Sequence, residues 1–176
     1  MCELLLDDYT RRGFVDGVAI RLPTICVRPG KPNMAASGFF SEIVREPLNG
    51  LEAVVPVGAE VRHWHASPRA AVGFLLRAAT IDGSELGTRR CLTMPGVSVT
   101  VGEQLEALAA VAGSEVAQLV RYERDEGVAR FVAGWPRRFD ARRAESLGFR
   151  AESSFEEIIR IYIEDELGGR IPALGR

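Results

Sequence analysis

VRHWHASPRAAVGFLLRA, residues 61 to 78, carries a strand and a helix in one run. In extended chain, residues i and i+2 share a face, so His63 and His65 point together while Arg62 and Trp64 point the other way. Ser67 followed by Pro68 reads as a helix start: a hydroxyl cap, then proline where no backbone N–H is needed. Ala71, Val72, Leu75, Leu76 and Ala79 recur at helical spacing and predict one apolar face through about residue 80.

The same alternation extends upstream. Residues 2 to 12, CELLLDDYTRR, form an amphipathic pattern in which Leu5, Tyr9 and Arg12 share a face and Gly13 provides a stop. No Ser, Thr, Asp or Asn precedes this helix as a cap, so it reads as cut rather than started. In GVAIRLPTICVRPGKPN, residues 17 to 33, the run from Val18 to Leu22 predicts a buried strand. Pro23, Pro29 and Pro32 then exclude regular ladder pairing, and the chain leaves the sheet in a rigid loop ending near Asn33. Loops at strand ends commonly carry function. Residues 38 to 46 predict a short helix and 53 to 57 a short strand.

Downstream, RCLTM at 90 to 94 predicts a strand entering a turn at Pro95 and Gly96. Thr100 and Glu103 have capping-box spacing before a helix through about Ala112, buried on Leu105, Leu108 and Val111. A strand near VAQLVRYE and a helix near EGVARFVAG follow. Asp140 caps a short helix ended by Gly148, and Ser153 with Glu156 opens a last helix with Phe155, Ile158, Ile159 and Ile163 inward. The pattern is α/β in the first half and mixed α+β in the second. The strands are few for the apolar helix surface they must cover, which predicts that part of a larger sheet is absent.

With 176 residues, 47% hydrophobic and 26% charged, the chain reads as one globular domain. A net charge of -2 gives nucleic acid no general footprint, and the arginine pairs starting at 11, 89, 137 and 142 lie close to acids. Three cysteines without a CxxC pair suit neither a disulfide framework nor a zinc site. No apolar run approaches the roughly 20 residues that span a bilayer, and no basic-then-apolar leader opens the chain. These features predict a cytoplasmic protein with no membrane partner.

The two histidines admit a structural or a substrate-lining role; zinc would need further ligands, and the adjacent arginine disfavours a cation. Arg62 can hold a planar carboxylate through two parallel hydrogen bonds, or pair at the surface with Glu60. Trp64 serves either the core or a ligand platform.

Four strings taken in order, ELLLDDYTRRG, RLPTICVRPGKPN, VRHWHASPRAAVGFLLRA and FDARRAESLGFRAESSFEEIIRIYI, resemble the C-terminal half of an extended short-chain dehydrogenase/reductase. This is the NAD-dependent epimerase/dehydratase superfamily, and the strings are most similar to its D-erythronate dehydrogenase-like branch. The resemblance covers essentially the whole chain. It implies the last strands and helices of an NAD(P)-binding Rossmann-type fold, within 1 to 30 and 60 to 80, and a smaller mixed α+β substrate-binding region within 31 to 59 and 90 to 170. It further implies that Leu22, Pro23 and Thr24 line the NAD cofactor, that Arg28, Asn33 and His63 face a small sugar-acid substrate, and that Arg62 grips an anionic part of it. A homodimer through helices that include the opening one is also implied. Where sugar-nucleotide enzymes of the family usually read Val-Asp-Asp, this chain has Ala66, Ser67, Pro68 and Arg69.

Hydride transfer in such enzymes uses a Tyr-x-x-x-Lys pair on one helix. Here Lys31 is the only lysine and position 27 is Val. Nor is there a glycine-rich dinucleotide loop: Gly13 and Gly17 read as a helix stop and a turn. The resemblance therefore implies a fragment of an NAD-dependent oxidoreductase with no catalytic residue of its own, inactive alone. A non-catalytic domain binding a small acid or a partner, and a nucleoside-diphosphate-sugar epimerase or dehydratase, are the alternatives.

Overall fold

The computed structural model describes residues 1 to 31 and 35 to 171. The opening helix, α1 (Cys2–Arg11), leads through a Gly13 turn at φ 76° into β1 (Ala19–Arg21) and β2 (Thr24–Ile25). A helix and strand follow, α2 (Phe39–Leu48) and β3 (Ala53–Val55), then β4 (Arg62–Ala66), α3 (Pro68–Thr80), α4 (Gly83–Leu86) and β5 (Cys91–Thr93). The remainder is β6 (Val97–Thr100), α5 (Val101–Ala112), α6 (Ser114–Ala117), β7 (Val120–Tyr122), α7 (Glu126–Ala133), α8 (Arg142–Ser146) and α9 (Phe155–Leu167). The strands make three small sheets: β1 parallel to β5, β3 parallel to β7, and β4 between β2 (parallel) and β6 (antiparallel).

Local chemistry explains the strongest boundaries. Ser67 Oγ accepts from the Ala70 N–H at 2.9 Å with Pro68 in the first turn, so α3 starts where its cap stands. Thr100 and Glu103 form a reciprocal capping box at the start of α5. At α9 the N-cap is Ser154, one residue on from the Ser153 expectation, and no reciprocal box forms there. Ser154 Oγ accepts from Glu157 N–H, while the Glu157 carboxylate accepts from Ser153 N–H at 2.9 Å.

Two apolar cores result. The larger joins Phe39, Phe40, Ile43 and Leu48 of α2 to Leu108 of α5 and to Phe155, Ile158 and Ile159 of α9. The smaller joins Phe74 of α3 to Leu92, Met94 and Phe149, with Ile20 and Ile25 against it. Fully burying one such side chain stabilises by roughly 1.5–3 kcal/mol, so the larger cluster dominates the fold's stability.

Three expectations are corrected. The run Val18 to Leu22 is not a buried strand: β1 is three residues long, half-exposed, and paired with β5 alone among the described residues, and Leu22 is exposed. On α3 the predicted face is the exposed one, with Val72, Leu75 and Leu76 in water, while Phe74 is buried and Ala70 and Ala78 pack beside it. Apolar residues run along two sides of this helix, and the strands present lie against the Phe74 side. The turn expected at Pro95 and Gly96 opens directly into β6, because Val97 to Thr100 find hydrogen-bonding partners along β4.

Candidate functional site

The centre of the site is β4. Its register sets Thr24 of β2 beside His65, and His63 beside Val99 of β6. His63 and His65 face the larger core, as strand alternation requires. The His63 ring stacks on Phe40 with centroids 4.9 Å apart and planes 7° from parallel, and Trp135 lies at 5.3 Å. Thr24 Oγ1 is 2.6 Å from His63 Nε2, the one side-chain hydrogen bond among the described residues that joins two residues expected at the site. Thr24 is half-buried, whereas His63 is 7% exposed.

His65 is buried completely between Phe40 and Phe155. Gln104 Nε2 lies 3.0 Å from His65 Nε2; an amide N–H donates, so the ring accepts there. Burial lowers the pKa of both histidines by disfavouring the charged ring. His65 falls well below the usual value, with the His63 charge a second cause. For His63 the Pro136 backbone carbonyl acts in the opposite direction.

Arg62 and Trp64 occupy the other face. Arg62 Nη1 donates to the Ser98 carbonyl at 2.7 Å and Nη2 to Glu103 at 3.1 Å, so its ion pair is with Glu103 rather than Glu60. Together with Ser98, Arg138, Asp140 and Ser153 these residues line an open, polar groove of about 1010 Å³. Gly96 closes the gap between the faces: a Cβ there would stand 2.5 Å from the His65 carbonyl oxygen and 2.8 Å from Trp64 Nε1. Arg62 and His63 thus look into different environments, and the fold does not bring them onto one wall.

The remaining candidates distribute as follows. Leu22 is exposed and Pro23 buried at the end of β1. The Arg28 backbone is anchored, its N–H donating to Ser41 Oγ at 3.1 Å and its carbonyl accepting from Arg45 Nη1 at 3.0 Å. Asn33 lies outside the described residues. Among the described residues no cluster of three or more His, Cys, Asp or Glu could hold a metal ion. No helix among them is long and apolar enough to cross a membrane.

Sequence reasoning missed Phe40, Gln104 and Trp135 as neighbours of the histidines. Gln104 left a signal, a polar side chain on the buried face of α5 beside Val101 and Leu108. Phe40 and Trp135 left none, since each is separated from β4 by long stretches of chain.

Known proteins share this fold. No protein-family model matches the sequence. The D-erythronate dehydrogenase of Cupriavidus necator is 53% identical over 163 residues, covering 93% of this chain and 50% of that protein. Its counterpart from Haemophilus influenzae is 46% identical over 167 residues, covering 95% and 53%. A crystal structure described as a nucleoside-diphosphate-sugar epimerase from Agrobacterium tumefaciens superposes with a TM-score of 0.95 at 64% identity, over 97% of this chain and 50% of that one. L-threonine 3-dehydrogenase from Trypanosoma brucei shares the fold at 18% identity and TM-score 0.79. The mixed α/β fold with its small, separate sheets is accordingly a partial Rossmann-type arrangement. The chain belongs to the extended short-chain dehydrogenase/reductase, or NAD-dependent epimerase/dehydratase, superfamily and is related to both D-erythronate dehydrogenase and a nucleoside-diphosphate-sugar epimerase. It spans about half the length of the curated relatives it matches.

Membership associates the chain with NAD(P). Holding a dinucleotide takes backbone N–H groups of a glycine-rich loop at a helix N-terminus, directed at the pyrophosphate. These 176 residues contain no such loop and no Tyr-x-x-x-Lys pair. Thr24 and Pro23 alone do not make a dinucleotide site.

Proposed function

We propose that these residues supply the substrate-facing part of an NAD(P)-dependent oxidoreductase or epimerase acting at a carbohydrate hydroxyl. The observation that carries the reading is the Thr24–His63 contact at the strand end, in a chain whose relatives on both sides are carbohydrate enzymes. Leu22, Pro23 and Thr24 face the cofactor; Arg28, Asn33, Arg62 and His63 serve the substrate, with Arg62 directed at an anionic group. Catalysis depends on a polypeptide that carries the glycine-rich loop and the Tyr-x-x-x-Lys pair. The protein works in the cytoplasm, as a homodimer through its opening helix.

Two substrates have support. A nucleoside-diphosphate sugar is favoured by the Agrobacterium structure, whose identity of 64% exceeds that of the curated relatives. The groove of about 1010 Å³ beside Arg62 also has room for a group larger than a four-carbon acid. D-erythronate is favoured by two curated relatives of that name. The deciding experiment expresses the chain alone and joined to its upstream reading frame, then assays NAD reduction with D-erythronate and epimerisation of uridine-diphosphate sugars. Turnover of either class by the joined form, with none by the chain alone, supports the proposal and selects the substrate. A joined form that folds, binds NAD and turns over neither overturns it.

A further inference from the structure

The groove beside Arg62 is distinguished by which of its charges are already matched. Among its lining residues, Arg62 is tied to Glu103 and to the Ser98 carbonyl, and Arg142 donates to both carboxylate oxygens of Asp140. Arg138 takes part in no ion pair among the described residues, which leaves it as the uncommitted cation of the groove. Glu145 and Glu152 line the same groove, neither paired with a cation among the described residues. With Gly96 they also line an adjoining recess of about 270 Å³.

Glu152 is fixed where it stands. One of its carboxylate oxygens accepts from the Ser67 hydroxyl and the other from the Ser67 N–H at 3.2 Å, and Ser67, fully buried, caps α3 through the Ala70 N–H. The carboxylate cannot swing away from a ligand without breaking these contacts. It offers about four acceptor sites, more than Ser67 occupies. Trp64 lines the groove as well: it is 7% exposed, and its Nε1–H, without a hydrogen-bond partner among the described residues, stands beside Gly96.

We infer that Glu152 is the specificity-determining residue of this groove, accepting from the hydroxyls of a polyol that carries at most one negative charge and repelling a diphosphate. A hydroxyl both donates and accepts, so a polyol can meet the Glu152 carboxylate and the Trp64 N–H alike. Ionised phosphate oxygens only accept. A diphosphate would bring its charges to one uncommitted cation and two carboxylates, and like charges set against each other are how a site rejects the wrong partner. The inference rests on the reading that this groove serves the substrate; it separates the two substrates of that reading by charge, where volume admits both.

Amide and indole NMR of the nitrogen-labelled 176-residue chain tests it, with D-erythronate and uridine diphosphate as probes and the Ser67 amide and Trp64 indole signals as reporters. D-erythronate is expected to move both signals, and uridine diphosphate to move neither at the same concentration. Glu152→Gln removes the charge and keeps an acceptor for the Ser67 N–H. It should weaken D-erythronate by about tenfold, the effect of one lost hydrogen bond to a charged group. Uridine diphosphate should gain about tenfold from relief of the repulsion. Glu145→Gln, at an exposed position, should raise its affinity by a smaller factor, and keeps the test open if Glu152→Gln does not fold. Three results overturn the inference: uridine diphosphate binding the unaltered chain more tightly than D-erythronate, affinities for both probes indifferent to the substitutions, or neither probe moving either signal in the folded chain. Binding is read here without turnover, so it fails separately from the activity assays. Epimerisation of uridine-diphosphate sugars by the joined form would overturn the role of Glu152 and leave the proposed function standing.

Discussion

The two cores differ in closure. The larger is surrounded by its own elements: α2, α5 and α9 enclose it, and Phe40, Ile43, Leu48, Leu108, Ile158 and Ile159 are fully buried. The smaller has well-buried members, yet the helices beside it leave apolar residues in water. On α3, Leu75 and Leu76 are 57% and 64% exposed; on α1, Leu4 and Leu5 are 73% and 54% exposed, and α1 buries no residue. Polar contacts hold α1 instead: Glu3 accepts from Arg21, and the Asp7 carboxylate accepts from Arg90 N–H at 2.9 Å. Arg21 beside it lowers the Glu3 pKa to about 2, its largest cause being the hydrogen bond between them. Exposed ion pairs of this kind contribute little to stability. The lesson is that burial, rather than helix formation, divides the chain: both regions form regular elements, but only one covers its own apolar surface.

Substitutions should reproduce that division in graded form. Phe40→Ala removes a ring from the larger core and from the face of His63, and should cost about 3–5 kcal/mol in urea unfolding. A loss below 1 kcal/mol would show that this core is less closed than its burial implies. Gly96→Ala drives a methyl group against the His65 carbonyl and Trp64 at the boundary between the cores. The expected loss is about 1–3 kcal/mol, together with a change in Trp64 fluorescence. Leu76→Ala on the open face of α3 should change stability by no more than about 0.5 kcal/mol in the isolated chain. The same substitution in a longer protein that covers this face should cost distinctly more, and equal effects would break the comparison.

Acid offers a further test, whose size grows with the pH interval crossed. His63 and His65 are lowered below the ordinary histidine value of 6.5 in the folded state. Below that value the unfolded chain takes up protons that the folded chain does not, so stability falls as pH falls. The decline begins near 6.5 and continues until the folded-state values are reached, at up to about 1.4 kcal/mol per pH unit for each histidine. Unfolding midpoints measured from neutral to mildly acidic pH should drop, and His65→Gln should flatten the slope in whatever structure remains.

Strand alternation places the histidines on one face and Arg62 with Trp64 on the other from the sequence alone, because side-chain direction in extended chain is a local property. The starts of α3 and α5 were equally legible, since Ser67 and Thr100 are bonded to N–H groups three residues away. The resemblance to the extended short-chain dehydrogenase/reductases was readable in four ordered strings, and the D-erythronate dehydrogenase and epimerase relatives bear it out. Less legible were the burial of α3, where two apolar sides compete, and the strand β6, whose existence depends on β4.

By itself, then, the sequence determined the longer helices, the caps of α3 and α5, the alternating faces of β4 and the family. Tertiary structure decided which side of α3 is buried, that Arg62 pairs with Glu103, and that Thr24 meets His63 across 39 positions. The physical reason is range. Caps and alternation are settled by hydrogen bonds and backbone geometry within a few residues, whereas burial and side-chain pairing depend on which distant surfaces the folded chain brings together.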